Sequence, residues 1–234
     1  MNIFIILSVL RVLIMIGRLI LNKQLGFSSK PYNSTTPQEK KILILGDSTA
    51  VGTGASAPED TIAGRLAHDF PHSQIVNLAE NGGLISDLTH QIAKVKNEHF
   101  DMIIISAGGN DVWHGTWTRT VERHLENVLL EATRISDHKV IFLVYNTIAL
   151  APIWPLLIQL FLRWRSKKVY GTIYQTTHKA KVPTIDLFTT TTDNPFLKNS
   201  RGLFARDGIH PNSRGYALWY LRMWNEMVKN GFRY

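Results

Sequence analysis

The sequence has no cysteine among its 234 residues. Disulfide bonds, zinc–thiolate sites and thiol nucleophiles are therefore excluded, although this leaves the compartment open because many exported proteins also lack cysteine. Acidic residues are scarce as well, with 18 Asp and Glu against 26 Lys and Arg, and the net charge is +8. The length suits one sizeable domain whose sheet is covered on both faces.

The positive charge is concentrated in two stretches that adjoin apolar segments. Residues 1–41 contain six Lys or Arg and one acid, and residues 163–181 contain six Lys or Arg and no acid. These two stretches sum to +11, which leaves −3 on the rest of the chain. Basic residues beside apolar surface suit an anionic bilayer, whereas no motif typical of nucleic-acid binding accompanies the charge. We therefore expect a membrane surface as a partner and no nucleic acid.

Residues 3–21 form a nearly continuous run of Ile, Leu, Val, Phe and Met. As a helix this run would be about 29 Å long, close to the hydrocarbon thickness of a bilayer. Arg11 and Arg18 interrupt it on one helical face, so both a spanning anchor and a helix in the interface stay open. A cleaved signal peptide and a buried core helix are further alternatives. The signal-peptide alternative is weakened because the run lacks a basic start and a small-residue cleavage site.

These features predict a membrane-associating helix over residues 1–23, a polar linker over residues 24–40 and a folded domain over residues 41–234. The linker is rich in Ser, Thr, Pro, Asn and Gln, as is typical of connecting segments. Because the basic residues follow the apolar run, a spanning helix would leave the folded domain in the cytoplasm. Export, with the segment as an anchor or a cleaved signal, is the alternative.

The rest of the chain alternates between two kinds of segment. Five short apolar runs predict buried strands, at Ile42–Leu45, Gln74–Leu78, Met102–Ser106, Val140–Tyr145 and Val182–Leu187. Helical periodicity is found at 60–70, 84–97, 118–136, 154–180 and 213–230. This alternation predicts a three-layer α/β/α fold with a parallel sheet. Right-handed crossovers leave few topologies, of which we favour the five-stranded flavodoxin-like order 2-1-3-4-5.

A second apolar segment, residues 148–164, lies after the fourth predicted strand. It contains two Trp and is followed by Arg165, Lys167 and Lys168. A core helix that begins after Pro155 is the ordinary interpretation. The segment is apolar on nearly all sides and Trp is frequent at bilayer interfaces; together with the N-terminal apolar run, these features favour an element that dips into the membrane.

Polar residues follow the first predicted strand, where the sequence reads Gly46-Asp47-Ser48. A serine in a strand-to-helix turn exposes its hydroxyl and presents its N–H to an anion. The same serine can also be an ordinary helix cap. Residues 52–57 fit a G-x-G-x-x-A string, but it begins too far past the strand for a nucleotide-binding turn.

Two further motifs offer catalytic partners. Asp207 and His210 lie before the last predicted helix, and a carboxylate–imidazole pair can activate a hydroxyl, although such pairs also occur in ordinary loops. Asn110 follows the third strand after two glycines, and its amide can donate to a developing oxyanion. We expect the adjacent Asp111 to support the loop. After the second strand, the Gly-Gly pair at 82–83 offers a backbone N–H or an ordinary turn.

In combination these motifs resemble the SGNH (GDSL-type) hydrolase family over about residues 41–230. The matching blocks, in chain order, are Gly46-Asp47-Ser48, Asn77 to Gly82, Gly108-Gly109-Asn110-Asp111 and Asp207 to Pro211. Thr49 stands where the family often has Leu. The second block is looser than the others, and its pattern favours Gly82 over Gly83 as the donor.

The resemblance implies a Ser-His-Asp mechanism without a cofactor or a metal. Ser48 would attack an ester carbonyl, His210 would take its proton and Asp207 would orient the imidazolium. The N–H groups of Ser48 and Gly82 and the amide of Asn110 would hold the oxyanion. With the two apolar, basic-flanked segments, we expect a membrane-associated hydrolase of lysophospholipids or other lipid-like esters. A carbohydrate O-acetylesterase, which the family includes, is the alternative.

Two other classes of function remain open at this point. A metal-dependent phosphoester hydrolase would use Asp47, Asp111, Asp207 and His210 as ligands. A non-catalytic membrane adaptor would keep the fold without the activity. The natural acyl chain, the acyl acceptor and the oligomeric state are not predicted.

Overall fold

The five runs rich in Ile, Val and Leu form one sheet, as expected for side chains that pack well on a pleated surface. The strands are β1 (Lys40–Gly46), β2 (Ser73–Asn77), β3 (Met102–Ser106), β4 (Val140–Tyr145) and β5 (Thr184–Leu187). All neighbours are parallel and the order is β2-β1-β3-β4-β5. Every residue of β3 and β4 is buried, because helices cover both faces. The predicted order 2-1-3-4-5 is confirmed.

These elements come from a computed structural model, which describes residues 13–17, 20, 29–34, 40–137, 139–145, 147–187 and 194–229. The membrane-associating helix predicted at 3–21 lies largely outside them, and only 13–17 and 20 of that segment are described, as helix. Within the described ranges, no helix has both the length and the hydrophobicity needed to cross a bilayer.

Helices flank the sheet on both sides, as the three-layer prediction requires. They are α1 (Ser48–Val51), α2 (Ile62–Asp69), α3 (Leu88–Ala93), α4 (Gly109–His114), α5 (Thr118–Arg134), α6 (Thr147–Leu150), α7 (Leu156–Lys179), α8 (Pro195–Lys198), α9 (Ser200–Leu203) and α10 (Ser213–Lys229). Helix α5 packs against both α3 and α7, while α2 packs with α10. The sequence does not reveal α4, where a loop is expected around Asn110, or α6, α8 and α9, because four to six residues are too few to show a period.

The described part of the predicted linker lies along the edge strand β2. The backbone N–H of Ser34 donates to the carbonyl of Ile75 at 3.1 Å, and the N–H of Asn77 donates to Oδ1 of Asn33 at 2.7 Å. Residues 29–34 therefore supply hydrogen-bond partners to a strand edge that would otherwise be open. The domain boundary at residue 40 stays a prediction.

Helix α7 is longer than the sheet that it covers. It begins after Pro155 and has 24 residues, or about 36 Å, whereas a six-residue strand spans only about 20 Å. A Cβ added to Gly108, just past the carboxyl end of β3, would lie 3.6 Å from the ring of Tyr170. The helix follows β4 from the carboxyl edge of the sheet, so the residues before Tyr170 project beyond that edge.

Candidate active site

Three polar side chains from distant parts of the chain meet at the carboxyl edge of the sheet. Ser48 is the first residue of α1, directly after β1. Its Oγ lies 2.8 Å from Nε2 of His210, and Nδ1 of the same ring lies 2.5 Å from Oδ2 of Asp207. Hydroxyl, imidazole and carboxylate thus form one continuous hydrogen-bonded chain. Such a chain can move a proton off the hydroxyl oxygen when it attacks.

The carboxylate of Asp207 is held by the turn in which it lies. Its Oδ1 accepts the backbone N–H of Ile209 at 2.9 Å and that of His210 at 3.1 Å. Gly208 completes the turn with a φ of 72°, a conformation that favours glycine. Burial raises the pKa of Asp207, but the hydrogen bond and charge of His210 and the two backbone donors outweigh it, so the pKa falls below its usual range. Asp207 is therefore ionised and ready to pair with an imidazolium.

Gly46 lets β1 approach β3 closely just before Ser48. It has a φ of 155°, and an added Cβ would lie 2.1 Å from the carbonyl oxygen of Ser106. The side-chain amide of Gln91 accepts the N–H of Gly46 at 2.9 Å and donates to its carbonyl at 2.8 Å. No local pattern in the sequence marks Gln91 as part of the site, because it lies on α3 and reaches the strand only in three dimensions.

The carboxyl group of Asp47 supports the turn that contains Ser48 and is not the partner of His210. Its carboxylate accepts the hydroxyl of Tyr145 and both the N–H and the hydroxyl of Thr49, at 2.9 and 2.8 Å. It is the N-cap residue of α1 and so fixes the turn that presents Ser48. Burial raises the pKa of Asp47 despite these donors. Tyr145, which ends β4, is a site residue that the sequence does not indicate.

The three predicted oxyanion donors belong to three different segments at the same edge: the start of α1, the loop after β2 and the start of α4. Nδ2 of Asn110 donates to the carbonyl of Gly83 at 3.0 Å, which orients the amide and leaves its second hydrogen for a ligand. The N–H of Gly83 donates to the carbonyl of Glu80. In contrast, the N–H groups of Gly82 and Ser48 have no partner within the described ranges. Between the two glycines, the geometry therefore favours Gly82 as a donor.

Asn81, next to Gly82, joins the loop after β2 to two other segments. Its Oδ1 accepts the hydroxyl of Thr53 at 2.6 Å, just after α1. Its Nδ2 donates to the carbonyl of Ser29 at 3.3 Å. The position of Gly82 thus depends on contacts with the turn after α1 and with the segment 29–34.

Asp111 links the loop after β2 to the helix that contains Asn110. Its Oδ2 accepts the backbone N–H of Ile85 at 3.0 Å, which agrees with the predicted role in loop support. Burial raises the pKa of Asp111 to about 6. On the outer side, Arg165 of α7 donates to the carbonyl of Thr116 at 2.7 Å. Helix α4 and the residues just after it are therefore held both by the loop after β2 and by α7.

The alternative set of metal ligands is not assembled. Asp207 and His210 contact one another, Asp47 is bound to Tyr145 and Thr49, and Asp111 is bound to Ile85. In the part of the chain that the structure describes, no three acidic or histidine side chains are placed to share one metal ion.

A match to a known protein family shows which class of enzyme the chain is. Residues 44–218 match the GDSL-like lipase/acylhydrolase family, which covers well over half of the chain. The chain belongs to this family. It is therefore a carboxylic ester hydrolase of the GDSL type, and the resemblance drawn from the four motifs is confirmed. None of the curated proteins compared with it is similar enough to count as a match.

Solved structures share the fold at low sequence identity. The psychrotrophic esterase EstA from Pseudoalteromonas sp. is 17% identical over 83% of this chain and 100% of its own, with a TM-score of 0.63. The extracellular lipase from Streptomyces rimosus is 16% identical over 80% of this chain and 99% of its own, with a TM-score of 0.60. The acetyl xylan esterase AlAXEase is 19% identical over 80% and 98%, with a TM-score of 0.62. At these identities the likeness shows the fold and leaves the substrate open.

Proposed function

We propose that this GDSL hydrolase is a membrane-associated serine esterase that cleaves lipid-like acyl esters through Ser48, His210 and Asp207. The observation that supports it best is the continuous contact from hydroxyl to imidazole to carboxylate, at 2.8 and 2.5 Å. These three side chains are the ones that the motifs single out. The three hydrogen bonds of Asp207 with Ile209 and His210 within one turn preorganise the base before a substrate arrives.

The proposed reaction begins when Oγ of Ser48 attacks the ester carbonyl carbon while its proton passes to Nε2 of His210. The imidazolium is stabilised by the ionised Asp207 and then gives the proton to the oxygen of the departing alcohol. This step breaks the ester bond and leaves the acyl group on Ser48. A water molecule then attacks the acyl-enzyme, with His210 again as base, and releases the carboxylic acid and the free serine.

Negative charge develops on the carbonyl oxygen in both steps. In this proposal the N–H groups of Ser48 and Gly82 and the second amide hydrogen of Asn110 donate to it. Preorganised donors of this kind supply a large share of the rate enhancement in acyl transfer.

Two features favour an apolar acyl ester as the substrate. Exposed Leu, Phe and Trp side chains lie on the part of α7 that projects past the carboxyl edge of the sheet, where Ser48, His210 and Asp207 meet (the catalytic edge). An exposed apolar surface beside the site suits an enzyme that takes its substrate from a lipid phase. The N-terminal run 3–21, which falls largely outside the described residues, has the composition of a membrane-associating helix. In this proposal the catalytic domain faces the cytoplasm, because the basic residues follow that run.

A short-chain alternative is supported by one of the structural neighbours, which acts on acetyl groups of xylan according to its name. The two candidates differ in acyl length. The test is hydrolysis of soluble esters with acyl chains from acetyl to decanoyl, by the full chain in detergent. We expect rates that rise toward the longer chains; a preference for acetyl esters would replace the lipid-like substrate by the O-acetyl one.

The same assay tests the nucleophile. Ser48→Ala removes the attacking hydroxyl, so hydrolysis of every ester should fall to background. Ser56→Ala is the matched control, because this exposed serine lies a few residues further along and its side chain has no contact with His210. Activity that survives in Ser48→Ala would contradict the proposed mechanism, whatever the preferred chain length.

A further inference from the structure

The first turns of α7 expose large apolar side chains on one side of the helix. We call these the α7 apolar face: Leu156, Leu157, Leu160, Phe161 and Trp164. Their spacing places them along one stripe. Leu162, on the opposite side, is buried. The helix is thus anchored by one side while the other presents a contiguous apolar surface, which in soluble proteins marks an interaction site.

Basic residues adjoin this face, and acids are absent from its stretch of sequence. No Asp or Glu occurs between positions 138 and 185. Arg163, Lys167 and Lys168 are exposed on the same helix, and Nζ of Lys168 lies 4.1 Å from the ring centroid of Trp164. An apolar stripe with a cationic border and interfacial Trp has the composition of a surface that binds anionic bilayers.

The position of the face relates it to catalysis. The residues before Tyr170 project past the carboxyl edge of the sheet, where Ser48 lies. Trp113 follows Asn110 by one helical turn and stacks on Trp154, just before α7, with ring centroids 4.5 Å apart. Trp113 is itself partly exposed. A flat partner that covers the α7 apolar face would therefore lie beside the catalytic edge.

We propose that the α7 apolar face docks on bilayers that contain anionic lipids, with its apolar side chains in the interface and Arg163, Lys167 and Lys168 against the headgroups. This inference rests on the proposed function, to which it adds the partner and the orientation. A second copy of the chain is a poorer occupant, because symmetric contact would bring two cationic borders together, and like charges oppose association. Docking in this way brings the catalytic edge to the lipid surface, where a lipid-like ester is found.

The absence of cysteine allows a direct test in the full chain. Leu157→Cys and Leu160→Cys each receive an environment-sensitive thiol-reactive fluorophore, and Leu130→Cys and Leu221→Cys are labelled as controls. Leu130 is a close match, since it is 70% exposed against 80% for Leu157 but lies on α5. On vesicles of phosphatidylcholine with phosphatidylglycerol, we expect a blue shift at 157 and 160 alone. Because each probe reports its own surroundings, an N-terminal anchor does not mimic this result.

A second set of variants tests the cationic border, which consists of Arg163, Lys167 and Lys168. Lys167→Gln/Lys168→Gln in the Leu157→Cys background should need more anionic lipid for the same blue shift, by about fivefold per lysine removed. Lys96→Gln/Lys229→Gln removes the same charge from exposed positions elsewhere and should leave the titration unchanged. Pure phosphatidylcholine vesicles should produce the weakest shift.

Three results would overturn the docking. Labels at 157 and 160 that stay in a polar environment while the chain sediments with vesicles would remove the α7 apolar face from the contact. Equal shifts at 130 and 221 would show unspecific insertion. Self-association that is lost in Leu157→Gln/Phe161→Gln would assign the face to a second copy. The proposed esterase function is judged separately, because soluble short esters should be cleaved normally by Leu157→Gln/Phe161→Gln and not by Ser48→Ala.

Discussion

The catalytic edge and the α7 apolar face depart from the usual distribution of side chains in opposite ways. At the edge, the carboxyl groups of Asp47, Asp111 and Asp207 are buried, and each accepts hydrogen bonds from nearby groups of the chain. On α7, apolar side chains of comparable size are left in solvent. Buried polar groups are tolerable only with partners in place, so these three carboxyl groups need no partner from outside the chain. The α7 apolar face, in contrast, is removed from water only when another surface covers it. The two regions therefore differ in whether they need a partner from outside the chain.

The largest effect that this comparison predicts is at the buried carboxylate of the edge. Asp207→Asn keeps an oxygen that can accept the N–H groups of Ile209 and His210, but its amide hydrogens face Nδ1 and favour the wrong imidazole tautomer. We expect kcat on a soluble ester to fall about 10⁴-fold. Urea unfolding controls for structure, since the retained hydrogen bonds should keep the loss of stability small. A near-normal kcat would show that Asp207 does not serve His210.

A smaller effect is expected at Asn110, which acts through one hydrogen bond. Asn110→Ala removes the donor and should lower kcat about 100- to 1000-fold with little change in KM, because the interaction develops in the transition state. Steady-state kinetics on the same soluble ester gives both constants. A rise in KM at constant kcat would instead assign the amide to substrate binding.

The next prediction concerns stability and uses the pKa of Asp111. Burial raises this pKa to about 6 from 3.8, so the folded state opposes ionisation. The contribution of Asp111 to stability is complete below pH ~4 and is lost as the pH rises through about 6, an effect of about 3 kcal/mol. Asp111→Asn, which still accepts from Ile85, lacks this loss. Between about pH 4 and about pH 8, the free energy of unfolding of the wild-type chain should therefore fall relative to that of Asp111→Asn. A difference between the two proteins that is independent of pH would contradict the burial argument.

The smallest effect is expected on the outer side of α7. Leu157→Gln/Phe161→Gln should change the free energy of unfolding by no more than about 0.5 kcal/mol, as for other exposed positions. Leu162→Ala, one residue beyond Phe161 but buried, should cost about 2–5 kcal/mol. Thermal or urea unfolding of the two variants compares the two sides of one helix. Equal losses would mean that the α7 apolar face already packs against the chain itself.

Much of the fold follows from local patterns in the sequence. The five apolar runs become strands because residues buried on both faces must be apolar throughout, and the alternation with helices leaves little choice of topology. The predicted helix at 84–97 is shorter in the structure, Leu88–Ala93. One reason is local, since the carboxylate of Asp87 accepts the N–H of Leu84 at 2.8 Å and closes a turn there.

The supporting residues of the site could not be predicted, because their contacts are distant in sequence. Tyr145 reaches Asp47 across 98 positions, and Gln91 reaches Gly46 across 45. Neither belongs to a recognisable motif. The buried side of α7 could not be predicted for another reason. A helix that is apolar nearly all round has no hydrophobic period from which its buried side can be identified.

The central claim is that Ser48 is the nucleophile of an acyl-transfer site, and covalent labelling with a fluorophosphonate tests it most directly. The probe phosphonylates a serine only where a base and an oxyanion site activate it. Digestion and mass spectrometry should locate the adduct on Ser48 in the full chain, with strongly reduced labelling in Asp207→Asn and none in Ser48→Ala. An unlabelled Ser48 in folded protein, or an adduct on another residue, would contradict the account.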